Sequence, residues 1–208
     1  MAEQRTVGFI LFSKFELLDV FGPAEAYGLH ELAGAFKLVM VAQQAGPVAS
    51  AQGPQALADF GFDDCPHLDL IVVPGGIVTR REVDNTALIS WLRERAGAAE
   101  LVTSVCTGAA ILARAGLLDG RRATTNKSDF AWVMSQGPRV NWVKQARWVE
   151  DGKFMTSSGV SAGIDMALAV IARLCGAERA EQAAIGMEYE WHRDAAWDPF
   201  ARVHGLVD

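Results

Sequence analysis

The chain has 208 residues, half of them hydrophobic and 21% charged, with 19 Lys+Arg against 25 Asp+Glu for a net charge of −6. That balance excludes a disordered, collagen-like or disulfide-rich chain, and a domain of this size buries about 70% of its unfolded surface, so its core needs no disulfide or metal. Arg80-Arg81 and Arg121-Arg122 are the densest basic clusters, which argues against nucleic-acid binding.

Met1-Ala2-Glu3-Gln4-Arg5 leads straight into Val7–Phe12 without a cleavage signal. The longest apolar runs are strand length, well short of the roughly 20 residues a membrane helix needs. Cysteines at 65, 106 and 175 make no disulfide framework. A reduced, cytoplasmic protein with no membrane partner is expected.

Val7–Phe12, Phe36–Ala42, Leu70–Val73 and Leu101–Val105 are apolar without strict alternation, the pattern of strands buried on both faces. Between the last two, Leu88, Trp91, Leu92 and Arg95 recur at helical spacing, with Asp84 as the expected N-cap. Ala109–Ala115 predicts a helix closed near Gly116, and Ala123-Thr124-Thr125 a strand. The runs 147–150 and 153–156 predict a hairpin with an Asp151-Gly152 turn. Ser161–Cys175 and Ala177–Tyr189 predict two helices divided by Gly176. Strand, helix, strand at this spacing implies a mostly parallel sheet between helical layers, an α/β three-layer sandwich. One domain is expected over 1–190, with an aromatic-rich tail, 191–208, packed on it or on a dimer partner.

Leu101-Val102-Thr103-Ser104-Val105-Cys106-Thr107-Gly108 ends a buried strand on a cysteine and opens a helix through small residues. This is the pattern of a nucleophile elbow, with Ser104 and Gly108 small enough to let backbones approach. A helix N-terminus there favours a thiolate and predicts a lowered thiol pKa. The competing reading is a small buried hydrophobe. Val72-Val73-Pro74-Gly75-Gly76 ends the preceding parallel strand, where the amides of Gly75 and Gly76 with that of Thr107 make a candidate oxyanion hole, or else a plain βα turn. Asp19, among Leu17, Leu18, Val20 and Phe21, is either a structural acceptor or a site acid with a raised pKa. Pro23 marks a helix start in the competing reading.

The segments ELLDVFGP, VVPGG, TSVCTGA, ATTNKSDFAWV and GVSAGIDMAL, in this order, resemble the DJ-1/PfpI superfamily over nearly the whole chain to about residue 190. Within it the chain looks most like the branch holding isocyanide hydratase and the amidase-like domains of some AraC-type regulators. No helix-turn-helix pattern follows residue 190. The resemblance implies a flavodoxin-like sandwich and a homodimer, with Cys106 as the reactive residue and Asp19 as its carboxyl partner. Gly75, Gly76 and Thr107 would then lie around the thiol.

Thr107 stands where protease-like members carry histidine, and His30, His67, His192 and His204 fall in no catalytic motif, so a Cys-His pair is unsupported. Aspartate rather than glutamate at position 19 matches the hydratase branch. Asn126, where that branch often has histidine, is a candidate ligand contact.

The expected chemistry is hydration of an isocyanide to an N-formamide by the Cys106 thiolate, with Asp19 as acid and base and Thr107 orienting water or adduct. It needs a small-molecule substrate, no cofactor and no metal. A Cys-dependent glyoxalase or amidase, or a redox or small-ligand sensor, remains the alternative. Cys65-Pro66-His67 is too sparse for a zinc site. Asp165 is expected to favour a helix dipole, and Trp132, Trp142 and Trp148 to be core rather than pocket.

Overall fold

Continuous apolar runs of strand length cannot leave a face in water, and here they assemble into a sheet covered on both sides. The computed structural model describes residues 4–208, so the reading of Met1-Ala2-Glu3 lies outside the described residues. The chain begins β1 (Arg5–Ile10), α1 (Leu17–Gly28), β2 (Phe36–Val41), β3 (Gly46–Ala49) and β4 (Gln55–Ala58). It continues β5 (Leu70–Val73), α2 (Thr79–Glu82), α3 (Thr86–Ala98), β6 (Leu101–Ser104) and α4 (Gly108–Arg114). Then come β7 (Arg122–Ala123), α5 (Phe130–Gln136), β8 (Asn141–Trp142), β9 (Trp148–Asp151) and β10 (Phe154–Ser157). It closes with α6 (Ala162–Cys175), α7 (Ala177–Gly186) and α8 (Phe200–Val203).

The main sheet runs β2-β1-β5-β6-β10-β9, parallel except for the edge strand β9, which pairs antiparallel with β10. Every residue of β5, β6 and β10 is buried. Helix α6 packs on α1 and α7, while α4 packs on α2, α3 and α5. This is the mostly parallel α/β sandwich that the run pattern implies. The chain leaves β1 toward β2 and returns to β5 on its other side, so the β1/β5 boundary is the switch point where open α/β sheets form binding crevices.

Three local expectations are revised. Asn85, not Asp84, caps α3, its side chain accepting from the Leu88 amide at 3.2 Å. Pro23 lies inside α1 rather than at its start, so Asp19 sits in that helix's first turn. Thr124 and Thr125 leave the strand after Ala123 because their hydroxyls bind the backbone elsewhere, at Val143 and Cys106. Past Asn126 the chain turns into α5 at Phe130. The hairpin at Asp151-Gly152 forms as predicted, with Gly152 at φ +63. The β3–β4 hairpin had no clear sequence signal.

Among the described residues, no helix is long and apolar enough to cross a membrane. Trp148 is buried, while Trp132 and Trp142 are half-buried against the core. Cys175, at the end of α6, is half-buried.

The elbow after β6 depends on one close approach. A Cβ on Gly108 would collide with the Val73 carbonyl and lie 2.8 Å from that of Pro74, both rigid backbone. Gly108→Ala is therefore expected to destabilise the fold by about 1–3 kcal/mol, measured as a lower midpoint in urea.

Candidate active site

A left-handed backbone at a non-glycine residue costs about 1–2 kcal/mol and persists only where its surroundings hold it. Cys106 has φ +56, directly between β6 and α4. Its amide donates to the Ser158 carbonyl at 3.2 Å, and its own carbonyl accepts the Thr125 hydroxyl at 2.8 Å. The residue is 6% exposed. Its sulfur is not surrounded by aliphatic groups alone: the polar groups of Thr107 and the amide of Val160 act on it to favour its anion.

Asp19 reaches the same place from the first turn of α1. It is fully buried; one carboxyl oxygen, Oδ2, accepts the Gly75 amide at 2.7 Å, and Oδ1 has no hydrogen-bond partner. Burial pushes its pKa well above the usual carboxylate range, the Gly75 hydrogen bond opposes this, and Glu16 adds a smaller rise. The raised acid agrees with expectation.

The lowered thiol does not. Burial pushes the Cys106 thiol up strongly and the nearby Asp19 charge adds to this, outweighing the hydrogen bonds of Thr107 and Val160. The local dipole at a helix terminus favours the thiolate, but desolvation and the neighbouring carboxylate outweigh it here.

The Gly75-Gly76 turn also has a different role. Gly75 gives its amide to Asp19, and Gly76 gives its own to Thr107 Oγ1 at 3.0 Å. Neither glycine amide is free for an oxyanion. The Thr107 hydroxyl lies between the Gly76 amide and, at 3.2 Å, the Gly76 carbonyl, so it is held by the turn rather than free to orient water. A Cβ on Gly75 would stand 2.6 Å from the Thr107 amide and 2.9 Å from Cys106 Cβ, so the turn packs directly on the elbow. The turn thereby fixes both Asp19 and Thr107 beside the sulfur.

Asn126 follows Thr125, whose hydroxyl holds Cys106, and packs on Gly159. Its Nδ2 is turned toward Ser128 Oγ at 3.0 Å and Asp129 Oδ2 at 3.3 Å. Asp129 in turn pairs with Arg80 at 2.7 Å, and Arg80 lies 4.5 Å over the Trp132 ring. Asn126 therefore joins a polar group linking the turn before α5 to α2. A cavity of about 700 Å3, lined by Phe12, Gln44, Phe62, Glu82, Asn85 and Leu88 among others, contains none of the predicted site residues.

Several residues that support the site were not singled out in the sequence: Thr125, Lys127 and Val160 lie inside the segments ATTNKSDFAWV and GVSAGIDMAL, while Ser158, Arg147 and Asp198 lie in no recognised motif. Lys127 is buried and its ammonium donates to Thr124 Oγ1 at 2.7 Å, Thr125 O at 2.9 Å and Ala146 O at 3.1 Å. It also pairs with Asp198 Oδ2 at 3.2 Å. Burial lowers its pKa while Asp198 raises it. Asp165 does sit in the first turn of α6, and it also forms a buried ion pair with Arg147 at 2.6 Å and accepts the His192 amide at 3.0 Å. Cys65 and His67 keep apart: the thiol donates to Pro66 O, and His67 pairs with Asp69 at 3.3 Å.

A strained cysteine, a buried acid at the switch point and a glycine turn joining them can be compared with known proteins. The chain is 36% identical to isonitrile hydratase of Pseudomonas putida over 183 residues, 88% of this chain and 78% of that one. It is 30% identical to the HTH-type transcriptional regulator GbdR of Pseudomonas aeruginosa over 177 residues, 84% of this chain but only 48% of the regulator. A solved THiJ/PfpI family protein from Pseudomonas syringae superposes with a TM-score of 0.80 at 27% identity, covering 98% of this chain and 84% of that one. The family model for DJ-1/PfpI matches residues 5–173, from the first strand through most of α6. By sequence, by fold and by the order of its motifs, the chain belongs to the DJ-1/PfpI family.

Proposed function

We propose that the protein is an isocyanide hydratase-like enzyme in which Cys106 adds to a small electrophilic carbon and Asp19 moves the proton. The observation that carries this reading is Asp19 itself. It is a buried acid with a raised pKa, held by Gly75 against the thiol's turn, with one carboxyl oxygen unpartnered. A buried polar atom left without a partner costs about 1–3 kcal/mol, so an unsatisfied carboxyl oxygen beside a strained cysteine points to use rather than stability. The 36% identity to isonitrile hydratase supports isocyanides as the substrate class.

In the resting site both groups favour their neutral forms, so the proton has to move as the bond forms. The terminal carbon of R–NC approaches the sulfur; Asp19, protonated at rest, delivers its proton to that carbon and takes the S–H proton in exchange. The product is a thioimidate, R–N=CH–S–Cys106. Water then adds at the same carbon, with Asp19 passing the proton it holds to the nitrogen and taking one from the water in exchange. The tetrahedral adduct expels the sulfur, which regains a proton, and R–NH–CHO leaves. The net change is R–NC plus water to the N-formamide. The amides of Thr107 and Val160 stabilise the sulfur anion whenever it forms. Proton transfer of this kind contributes about 10²–10⁴-fold.

The test is incubation with a panel of alkyl and aryl isocyanides and of α-ketoaldehydes, followed by proton NMR. Formamide CH signals from the isocyanides, without hydroxy acids from the ketoaldehydes, are expected. Hydroxy acid formation with inert isocyanides would move the assignment to glyoxalase chemistry. Inertness toward both would remove the enzyme reading.

A further inference from the structure

The strained Cys106 backbone is held at both of its peptide groups, and both connections lead to the same short piece of chain. On the amide side, Cys106 N–H donates to Ser158 O at 3.2 Å, Ser158 N–H to Arg147 O at 2.8 Å, and Arg147 N–H to Ala195 O at 2.7 Å. On the carbonyl side, Cys106 O accepts the Thr125 hydroxyl at 2.8 Å, Thr125 O accepts the Lys127 ammonium at 2.9 Å, and that ammonium pairs with Asp198 at 3.2 Å. Lys127 and Asp198 are respectively 1% and 0% exposed at their side chains.

We propose that residues 195–198 are a positioning strap that fixes the left-handed turn at Cys106 from both sides, with Ser158, Arg147, Thr125 and Lys127 as the links. The strap has its own anchors. Asp198 Oδ1 accepts the Phe200 amide at 2.9 Å, which fixes the carboxylate at the start of α8. Trp197 lies 4.3 Å from the His192 ring, stacked on it, and His192 N–H binds Asp165. A buried ion pair is a poor source of stability, because desolvation offsets its attraction, but it fixes one geometry and one partner. Without the ammonium, Thr125 O loses a donor and the hydroxyl that holds Cys106 O is free to rotate away. Without Ala195 O, the Arg147 amide loses its acceptor beside the segment that holds Cys106 N–H. Each link is a positioning residue, since none of them touches the sulfur.

The inference deepens the reading of Cys106 as the reactive residue. Alkylation reports on the sulfur whether or not the protein hydrates isocyanides, so either can fail without the other. Cys106 and Cys65 have the same 6% exposure, and Cys65 is part of neither relay, so it serves as an internal reporter of global opening. Wild type, Asp198→Asn and Thr125→Val are treated with iodoacetamide at pH 8, and the rate at each cysteine is followed by peptide mass mapping. Asp198→Asn is expected to accelerate labelling of Cys106 about tenfold through local opening, with the rate at Cys65 unchanged. Thr125→Val removes only the last link, leaves the ion pair intact, and is expected to act in the same direction at Cys106 alone. A parallel rise at both cysteines would reduce the strap to a contributor to global stability and overturn the proposal. An unchanged Cys106 rate in Thr125→Val overturns it as well, and decides the matter alone if Asp198→Asn yields no folded protein.

Discussion

Cys106→Ala is expected to lower isocyanide turnover by at least about 10³-fold, because it removes the atom on which the covalent intermediate forms. The rate of formamide release under saturating substrate is the measurement, and wild-type turnover in the variant would end the covalent reading. A companion variant separates chemistry from folding. Cys106 holds φ +56, where a Cβ is unfavourable, so Cys106→Gly is expected to be equally inactive but more stable by about 1–2 kcal/mol. Inactivity together with a raised unfolding midpoint would mark a residue retained for its sulfur at the expense of stability.

Asp19→Asn is expected to lower turnover by about 10²–10⁴-fold, since an amide cannot carry the proton. Its effect on stability has the opposite sign. The amide oxygen can still accept the Gly75 N–H, while the buried carboxyl, with its raised pKa, no longer has to ionise. A carboxyl whose pKa is raised on folding contributes stability that is fully present below its unfolded value, about 3.9, and is lost as pH rises through the folded value. Wild type and variant should therefore unfold at similar temperatures near pH 3.5. The variant should gain on wild type as pH rises, by about 0.5–2 kcal/mol, the range seen when an active-site cost is removed. Thermal scans from pH 3.5 to 9 test the sign. A variant that keeps wild-type turnover would show Asp19 to be structural only.

The parts of the site that could be read in the sequence are those set by neighbours along the chain. A buried run ending at Cys106, with Gly108 two residues on, already demands a tight turn. Val72-Val73-Pro74-Gly75-Gly76 already demands a strand that stops. What could not be read depended on partners brought in from elsewhere. Gly75 and Gly76 appeared as open amides because nothing nearby could occupy them; Asp19 arrives from 56 residues earlier and Thr107 from 31 later. The direction of the thiol pKa is not legible for the same reason, since burial and a second acid are properties of the assembled core. Pro23 looked like a helix start because an interior proline loses a hydrogen bond, yet α1 continues through it. Thr124 and Thr125 looked like strand because β-branched residues favour strands, and their hydroxyls took backbone partners instead. The ion pairs of Lys127 with Asp198 and of Arg147 with Asp165 leave no periodic trace at all.

The strand order has a bearing on how the molecule is made. From β1 the sheet extends through β5, then β6, then β10, so each strand joins the rim left open by the one before it in the chain. While the nascent chain ends between residues 105 and 147, the outermost strand is Leu101–Ser104, an unpaired apolar rim of the kind that recruits other chains. Closure comes with the 148–157 ribbon, whose outward member carries Glu150 and Asp151, with Arg173 bonded to Glu150. Slow synthesis across that interval, or loss of those two acids, should therefore show first as insoluble protein rather than as reduced turnover of the material that does fold.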